Sequence, residues 1–513
     1  MRPVSPAADR SPLDVVLGVD AGTTSVKTTG FAVDGRAIAG AEVGYPLDEP
    51  HPGHAEQDPV AIDDALVRTI REAAAAVRQA EPAARIRGIS LSTAMHGIAA
   101  LDEHDAPLTA LVTWADTRAD EQAERLRAEH PELHDRTGTP IHPMAPLPKL
   151  VWFRAEQPET FAAARRWVGR KELALHRLTG EWVVDHSLAS GMGLFSVRDL
   201  DWDPEALRVA GIEAGQLARP VPTTCVVGTL TADAARETGL PQDTPVVAGA
   251  GDGPLANLGV GAVRPGVAAC SIGTSGALRL AVERPTVDRA RRLFSYALEG
   301  HRWVTGGAIN NGGVVLEWAG EALAPDLGAH AHDELLDLAA AVPAGSDGLV
   351  MLPYLLSERA PHWSATPRGA YVGLTRAHGR GHLIRAAVEG VCQQLALVLA
   401  SMQEAGNRVD EIRATGGFAR SPFWRQLLAD VLGAPVGFAE GHEGSGFGAA
   451  LLGMQALGLL DSIDAAADLV TIAETVEPDP ETAERYAELL PFFASVYDAL
   501  APTFRDLRRF APH

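Results

Sequence analysis

Val15-Val16-Leu17-Gly18-Val19-Asp20-Ala21-Gly22-Thr23-Thr24-Ser25 is an apolar run closed by a Gly/Thr turn. Val267-Ala268-Ala269-Cys270 followed by Ser271-Ile272-Gly273-Thr274-Ser275-Gly276 repeats that grammar in the second half of the chain. Each reads as strand, turn, strand. Such a turn gathers backbone N–H groups and hydroxyls, which suits a phosphate. Two of them, far apart in sequence, predict two similar α/β domains that grip one polyphosphate between them.

The chain has 513 residues, too many for one core. Its 46% hydrophobic and 21% charged content is ordinary for a globular protein. A formal charge of -22, with no basic run to offset it, disfavours nucleic acid and anionic lipid. The expected partner is a small molecule, and an anionic ligand must be met by local donors. Three cysteines, none in a Cys-x-x-Cys, argue against a disulfide scaffold. Residues 1–13 read as a loose tail without the apolar core of a signal peptide. No apolar stretch is expected to reach the roughly 18 residues that cross a bilayer, so a cytoplasmic protein without a membrane partner is expected.

Working outward from the first turn, strands are expected over Ser25 to Val33 and Ala37 to Val43, joined at Asp34-Gly35. Asp58-Pro59 starts a helix that runs to about Gln79. Ile86 to Leu91 is a buried strand that delivers Ser92-Thr93-Ala94-Met95-His96-Gly97. Residues 120–245 read as mostly helical. Val246 to Gly251 is a strand ending at Asp252, and the boundary is placed there, giving domains of residues 14–253 and 254–513. The second half repeats the order: strands near 267–281 and 294–305, a helix from Gly313, a strand near Gly348 to Met351, and a helix from His382 to about Ala405. Ile412 to Thr415 is a strand, a helix starts near Ser421, and amphipathic helices fill Asp479 to Phe510.

Several residues can carry chemistry. Asp20 at a strand end can hold Mg²⁺, directly or through water, beside Thr23 and Thr24; it can equally satisfy its own turn. No Gly-x4-Gly-Lys-[Ser/Thr] occurs, which excludes a Walker-A loop. Gly416 and Gly417, before Ser421, let a flat ring approach the backbone, or simply connect strand to helix. Asn310 to Gly313 form another glycine turn. Asp252, flanked by glycines, can serve as a base toward a hydroxyl or as a helix cap before Pro254. Met95-His96 follows a strand end, where ligands gather in α/β sheets. Trp114-Ala115-Asp116-Thr117-Arg118 offers an aromatic wall and an ion pair. His330 and His332 read as solvent-facing, and the three cysteines as core.

With these residues quoted, the chain resembles the FGGY carbohydrate kinases over about residues 14–460. Gly18 to Lys27 is similar to the family's first phosphate motif. Met144 to Phe153 is similar to its central signature, apart from Ala155. Gly369-Ala370-Tyr371-Val372-Gly373-Leu374, with His382-Leu383 and Ala386-Ala387-Val388-Glu389, is similar to its C-terminal signature. Ser92 to His96, Thr113 to Arg118 and Arg136 to Met144 are similar to the branch that phosphorylates gluconate. The xylulose branch shares Met-His and the Gly-Asp element.

The resemblance implies two actin-like (ribonuclease H-like) domains flanking a nucleotide cleft, and transfer of the ATP γ-phosphate to a sugar acid. It implies Asp252 as catalytic base, with Met95, His96, Trp114 and Asp252 touching the sugar. Asp20, Thr23 and Thr24 would meet Mg²⁺ and phosphates, and Gly273 and Thr274 would hold phosphate from the other domain. Asn310, Gly313, Gly416, Gly417 and Ser421 would frame the nucleotide. His96, Arg118, His142, Lys149 and Lys171 are candidates to read a carboxylate. Ser357 and the Gly444-Ser445-Gly446 turn depart from the family pattern. A non-catalytic, nucleotide-dependent sugar sensor is the alternative from another class, and homodimer assembly stays open.

Overall fold

Apolar runs and glycine turns build the same winding twice. The computed structural model describes residues 13–328, 331–439 and 444–510. β1 (Leu13–Ala21) and β2 (Ser25–Ala32) pair antiparallel across the first Gly/Thr turn. β3 (Ala37–Gly44) follows the Asp34-Gly35 turn, where Gly35 takes φ 89° and avoids the Cβ clash of that conformation. α1 (Pro59–Ala80) begins where Asp58 accepts the N–H of Val60 at 2.9 Å. β4 (Ala84–Thr93) then lies parallel to β1. α2 (Pro146–Glu156) and α3 (Arg170–Thr179) belong to a middle segment that also holds short strand pairs, so it is less uniformly helical than its sequence suggests. β5 (Val226–Thr229) and β6 (Pro245–Gly251) complete a six-stranded sheet in the order β5-β6-β4-β1-β2-β3. α4 (Asp252–Gly259) leaves from its end.

The second sheet repeats this arrangement. β7 (Val267–Ile272) and β8 (Gly276–Val282) flank the second Gly/Thr turn, followed by β9 (Phe294–Glu299) and β10 (Arg302–Ile309). α5 (Val314–Leu323) and the long α6 (Arg380–Glu404) lead to β11 (Glu411–Thr415). Then come α7 (Pro422–Leu432), β12 (Val436–Ala439), α8 (Gly444–Ala456) and β13 (Ile472–Val476). The seven strands run β9-β10-β8-β7-β11-β12-β13. In both sheets the Gly/Thr hairpin sits beside a parallel strand. Asp20 therefore aligns with Ser92, Gly251 with Thr93, and Ser271 with Thr415. The carboxyl ends of the parallel strands, where α/β sheets bind ligands, are thereby gathered.

α4 and α8, each leaving the last parallel strand of its own sheet, pack on each other through glycines. A Cβ on Gly448 would lie 2.1 Å from the Leu255 carbonyl oxygen, and one on Gly18 would lie 2.1 Å from that of Gly446. α8 thus seats against β1 and α4 although it comes from the second half of the chain. Gly448→Ala is expected to cost about 1–3 kcal/mol by overpacking, read as a lower urea midpoint; an unchanged midpoint would mean that the helices separate freely.

α6 corrects one expectation. It is long and apolar enough to cross a membrane, but 83% of its most apolar window is buried as a core helix. A final helix, α9 (Pro480–Leu507), carries Pro491 and Pro502 and buries Tyr486, Phe493 and Phe504. The Tyr486 hydroxyl donates to Glu389 on α6 at 2.6 Å, which ties the C-terminal segment to the second domain. His330 and all but the last residue of the expected tail lie outside the described residues.

Candidate active site

A cavity of about 190 Å³ opens where the two sheets present their strand ends. The first domain contributes Thr23, Met95, His96, Trp114, Met144 and Asp252 to its wall. The second contributes Ser271, Ser275, Gly276, Arg279, Phe294, Tyr296, Arg359 and Trp363. All four sugar-contact candidates, Met95, His96, Trp114 and Asp252, therefore share one space. The Trp114 indole donates to the Thr23 hydroxyl at 2.9 Å, fixing that wall to the first Gly/Thr turn. Phe294 and Tyr296 stack with ring centroids 4.3 Å apart and give the opposite wall an apolar, polar-tipped surface.

Asp252 is the first residue of α4, one position past the cap residue Gly251. Its carboxylate accepts the Gly253 N–H at 2.7 Å and, among the described residues, forms no ion pair. Burial, and then the charge of Asp20, push its pKa up to about 6. The group is therefore mostly ionised at neutral pH and near the value that favours proton transfer. His96 has φ 68°, a costly conformation for a residue with a Cβ. Its Nδ1–H donates to the Gly191 carbonyl at 2.7 Å, and burial pushes the ring pKa down to about 3. A neutral ring with its proton on Nδ1 leaves Nε2 as a hydrogen-bond acceptor.

The carboxylate-reading candidates separate sharply. Lys149 is fully buried, and its three donors reach the carbonyls of His96 at 3.0 Å, Thr113 at 2.6 Å and Met144 at 2.7 Å. It pins three wall segments of the cavity and has no donor left for a ligand. Lys171 is likewise fully buried, donating to Leu91, Ala248 and Ala250 and lying 3.3 Å from Asp185. It staples the ends of β4 and β6, from which Met95, His96 and Asp252 emerge. Arg118 is paired with Asp116 at 2.7 Å and Glu56 at 2.5 Å. His142 is buried, its Nδ1 accepts the Met144 N–H at 3.2 Å, and it is absent from the cavity wall. Of the five, only His96 faces the cavity.

The cations that do face it, Arg279 and Arg359, were not singled out in the sequence. The available signal was a lone charge in the apolar strand Gly276-Ala277-Leu278-Arg279-Leu280-Ala281-Val282. Arg170 was also missed. It lies buried beneath the first Gly/Thr turn and donates to the Gly22 carbonyl, the Tyr45 hydroxyl and Gln57. That buttress holds the turn and places a positive charge near Asp20 and Asp252.

A second cavity, of about 550 Å³, lies on the other side of the second Gly/Thr turn. Gly273, Thr274, Gly313, Gly417 and Ser421 line it, with Leu316, Phe418 and Trp424 as apolar surface. Ser271, Ser275 and Gly276 of the same turn line the first cavity, so this turn is the shared wall. Gly312 and Gly313 are required here: a Cβ would meet Ser275 backbone at 2.7 Å or the Gly273 carbonyl oxygen at 2.8 Å. Two expected nucleotide contacts stand outside the cavity wall. Asn310 is bonded to Ser357 and Glu358, tying β10 to the segment carrying Arg359. Gly416, at φ 122°, lets the chain pass the Ile272 carbonyl, which a Cβ would approach to 2.1 Å. Thr24 is exposed and lines neither cavity.

Asp20 sits at the carboxyl end of β1, with one oxygen accepting Ser92 at 2.9 Å and the other accepting Ser445 at 2.7 Å. Ser445 is one of the positions that depart from the family pattern, and here its hydroxyl bridges α8 to β1. Burial raises the Asp20 pKa, while both serine bonds and the charges of Lys27 and Arg170 oppose that shift. Each carboxylate oxygen has accepted one hydroxyl and keeps a lone pair, so this hard oxygen set fits a hydrated Mg²⁺.

Comparison with known proteins agrees with this geometry. Residues 15–259 match the N-terminal domain of the FGGY family of carbohydrate kinases, and residues 268–457 match its C-terminal domain. The gluconokinase of Bacillus subtilis (strain 168) is 42% identical over 492 residues, covering 94% of this chain and 95% of that protein. A xylulose kinase of the same organism is 30% identical over 487 residues, covering 94% and 96%. The crystal structure of gluconate kinase from Lactobacillus acidophilus superimposes with a TM-score of 0.91 at 34% identity, covering 96% of this chain and 99% of that one. Its two α/β domains are thus of the actin-like kind, and the chain belongs to the FGGY family of carbohydrate kinases, the ATP-dependent sugar kinases.

Proposed function

We propose that the protein transfers the γ-phosphoryl group of ATP to the terminal hydroxyl of D-gluconate, giving 6-phosphogluconate and ADP. The observation that carries this reading is the Asp252 carboxylate. It has no ion-pair partner among the described residues and lies in a cavity whose wall is also the wall of the nucleotide cavity. Asp252 accepts the proton of the attacking hydroxyl, and His96 Nε2 accepts a bond from a second hydroxyl of the acceptor. The nucleotide lies against Leu316, Phe418 and Trp424, with its phosphates at Gly273 and Thr274. Most of the rate then comes from holding the two reactants in line in a space closed by both domains. Asp20 would hold Mg²⁺ through water, and the ion would neutralise charge on the β- and γ-phosphate oxygens. A cytoplasmic setting, where ATP is available, fits this reaction.

The gluconate assignment rests on the sequence comparison. Identity is 42% to a gluconokinase and 30% to a xylulose kinase. Architecture does not separate them, because a ligand-bound xylulose kinase from Lactobacillus acidophilus also superimposes with a TM-score of 0.91. A coupled ADP-release assay over aldonates, ketopentoses and polyols tests the reading. Preference for D-xylulose would replace it with the xylulose reaction. Turnover of nothing in the panel would favour a sugar sensor.

A pH profile follows from Asp252. Its base form is lost as pH falls through about 6, so kcat/KM is expected to be level above that pH and to fall about tenfold per unit below it. A profile that stays level down to about pH 5 would contradict the base role.

A further inference from the structure

We propose that Arg279, assisted by Arg359 in the same cavity wall, holds the carboxylate of the acceptor, so that the second domain selects a sugar acid over a neutral polyol. This rests on the sugar-acid reading above and names the residues that would enforce it.

The first argument is charge. The protein as a whole is strongly anionic, with a formal charge of -22, so an anionic acceptor is repelled unless the site supplies local cations. Five titratable side chains line the cavity, Asp252, His96, Arg279, Tyr296 and Arg359, and burial raises the Tyr296 pKa so that its phenol stays neutral. Neutral His96 contributes nothing and Asp252 offsets one arginine, which leaves one positive charge. A monoanion brings that sum to zero, whereas a neutral acceptor leaves a partly desolvated cation unmatched.

The second argument is donor accounting. Arg279 enters from β8, and its only side-chain hydrogen bond among the described residues is a long one, 3.5 Å, from Nη1 to the Ser271 hydroxyl. It forms no ion pair among those residues, so most of its five N–H donors remain for a ligand. Arg359 is more occupied. It donates from Nη2 to the Ile309 carbonyl at 3.0 Å and lies over the Trp114 ring at 5.0 Å, but its buried Nε has no partner. The neighbouring Glu358 attracts Arg359 but lies off the cavity wall and, among the described residues, forms no ion pair with the guanidinium. Its carboxylate accepts the Asn310 N–H at 2.8 Å, the Asn311 amide at 2.6 Å and the Arg359 N–H at 2.7 Å. A forked guanidinium with free donors suits a planar carboxylate, which it can grip with two parallel bonds.

Arg279 also lies near Asp252, since a Cβ on Gly253 would be 3.4 Å from its Nε. A role in stabilising the transferred phosphoryl group is therefore the competing assignment. It predicts equal losses for every acceptor, and the two assignments separate on that point.

The experiment compares kcat/KM for D-gluconate with that for D-gluconamide and D-glucitol, which carry a similar hydroxyl chain without the charge. Wild type, Arg279→Gln, Arg279→Lys and Arg359→Gln are measured. Arg279→Gln is expected to lose roughly a hundredfold on gluconate and several-fold less on the neutral acceptors, whose loss reports only the arginine's charge beside Asp252, and a urea midpoint near that of the wild type reports an intact fold. Arg279→Lys is expected to recover part of the gluconate loss, because the charge returns without the fork. Arg359→Gln is expected to lose less on gluconate, again selectively. Equal losses on charged and neutral acceptors in both Arg279 variants would overturn the assignment while leaving gluconate as the substrate. A wild-type enzyme that turns over no sugar acid would instead overturn the sugar-acid reading and this assignment with it.

Discussion

Asp252→Asn is expected to lower kcat for gluconate by about 10²–10⁴-fold, the usual size of a general-base contribution. Asparagine keeps the shape of the side chain but cannot take the hydroxyl proton. ATP affinity should stay near the wild-type value, because the cavity proposed for the nucleotide is lined by Gly273, Thr274, Gly313, Gly417 and Ser421 and not by Asp252. Steady-state ADP release gives the first quantity, and calorimetric titration with a non-hydrolysable ATP analogue gives the second. A variant that kept more than a tenth of wild-type kcat would remove Asp252 from the base role. One that lost ATP binding as well would point to a closure defect.

Lys171→Met is expected to destabilise the protein by about 3–5 kcal/mol, the range for breaking a buried ion pair by removing one partner. The lysine is fully buried and donates to Leu91 at 2.7 Å, Ala248 at 2.7 Å and Ala250 at 3.1 Å. Its loss leaves three carbonyls with fewer donors and strands the buried Asp185, whose Oδ2 has no hydrogen-bond partner. Burial lowers the lysine's pKa and raises that of Asp185, and their mutual attraction opposes both shifts. The urea midpoint measures the loss. Adding Asp185→Asn should recover part of it by removing the stranded charge. A loss below about 1 kcal/mol, no more than one ordinary hydrogen bond, would show that the staple is dispensable.

Most of the framework could be read in short windows. The Gly/Thr hairpins, the Asp58-Pro59 helix start and the strand ending at Asp252 depend on local backbone demand and on the spacing of apolar residues. Such features carry their signal within a few residues. The same holds for Met95, His96 and Trp114, which follow strand ends and loops beside the sheet's carboxyl edge. The middle segment was harder to read, because its short strands pair with distant partners, as Ala99–Leu101 does with Arg166–Val168.

The cations were a different matter. Lys149 and Lys171 looked like ligand readers and proved to be staples, while Arg279 and Arg359 reach the cavity. A lysine can reach in many directions, and its partners are carbonyls brought together from segments far apart in sequence. For Lys171 these lie 80, 77 and 79 positions away.

By itself the sequence determined the doubled strand-turn-strand grammar, the kinase family and the acid at the end of the sixth strand of the sheets, because each is encoded by neighbouring residues. Only the tertiary structure decided which charges face the cavity between the sheets and which are buried in support. That choice depends on Coulomb attraction and hydrogen bonding between groups that folding alone brings into contact, as with Asp20 and Ser445, 425 positions apart and 2.7 Å from each other.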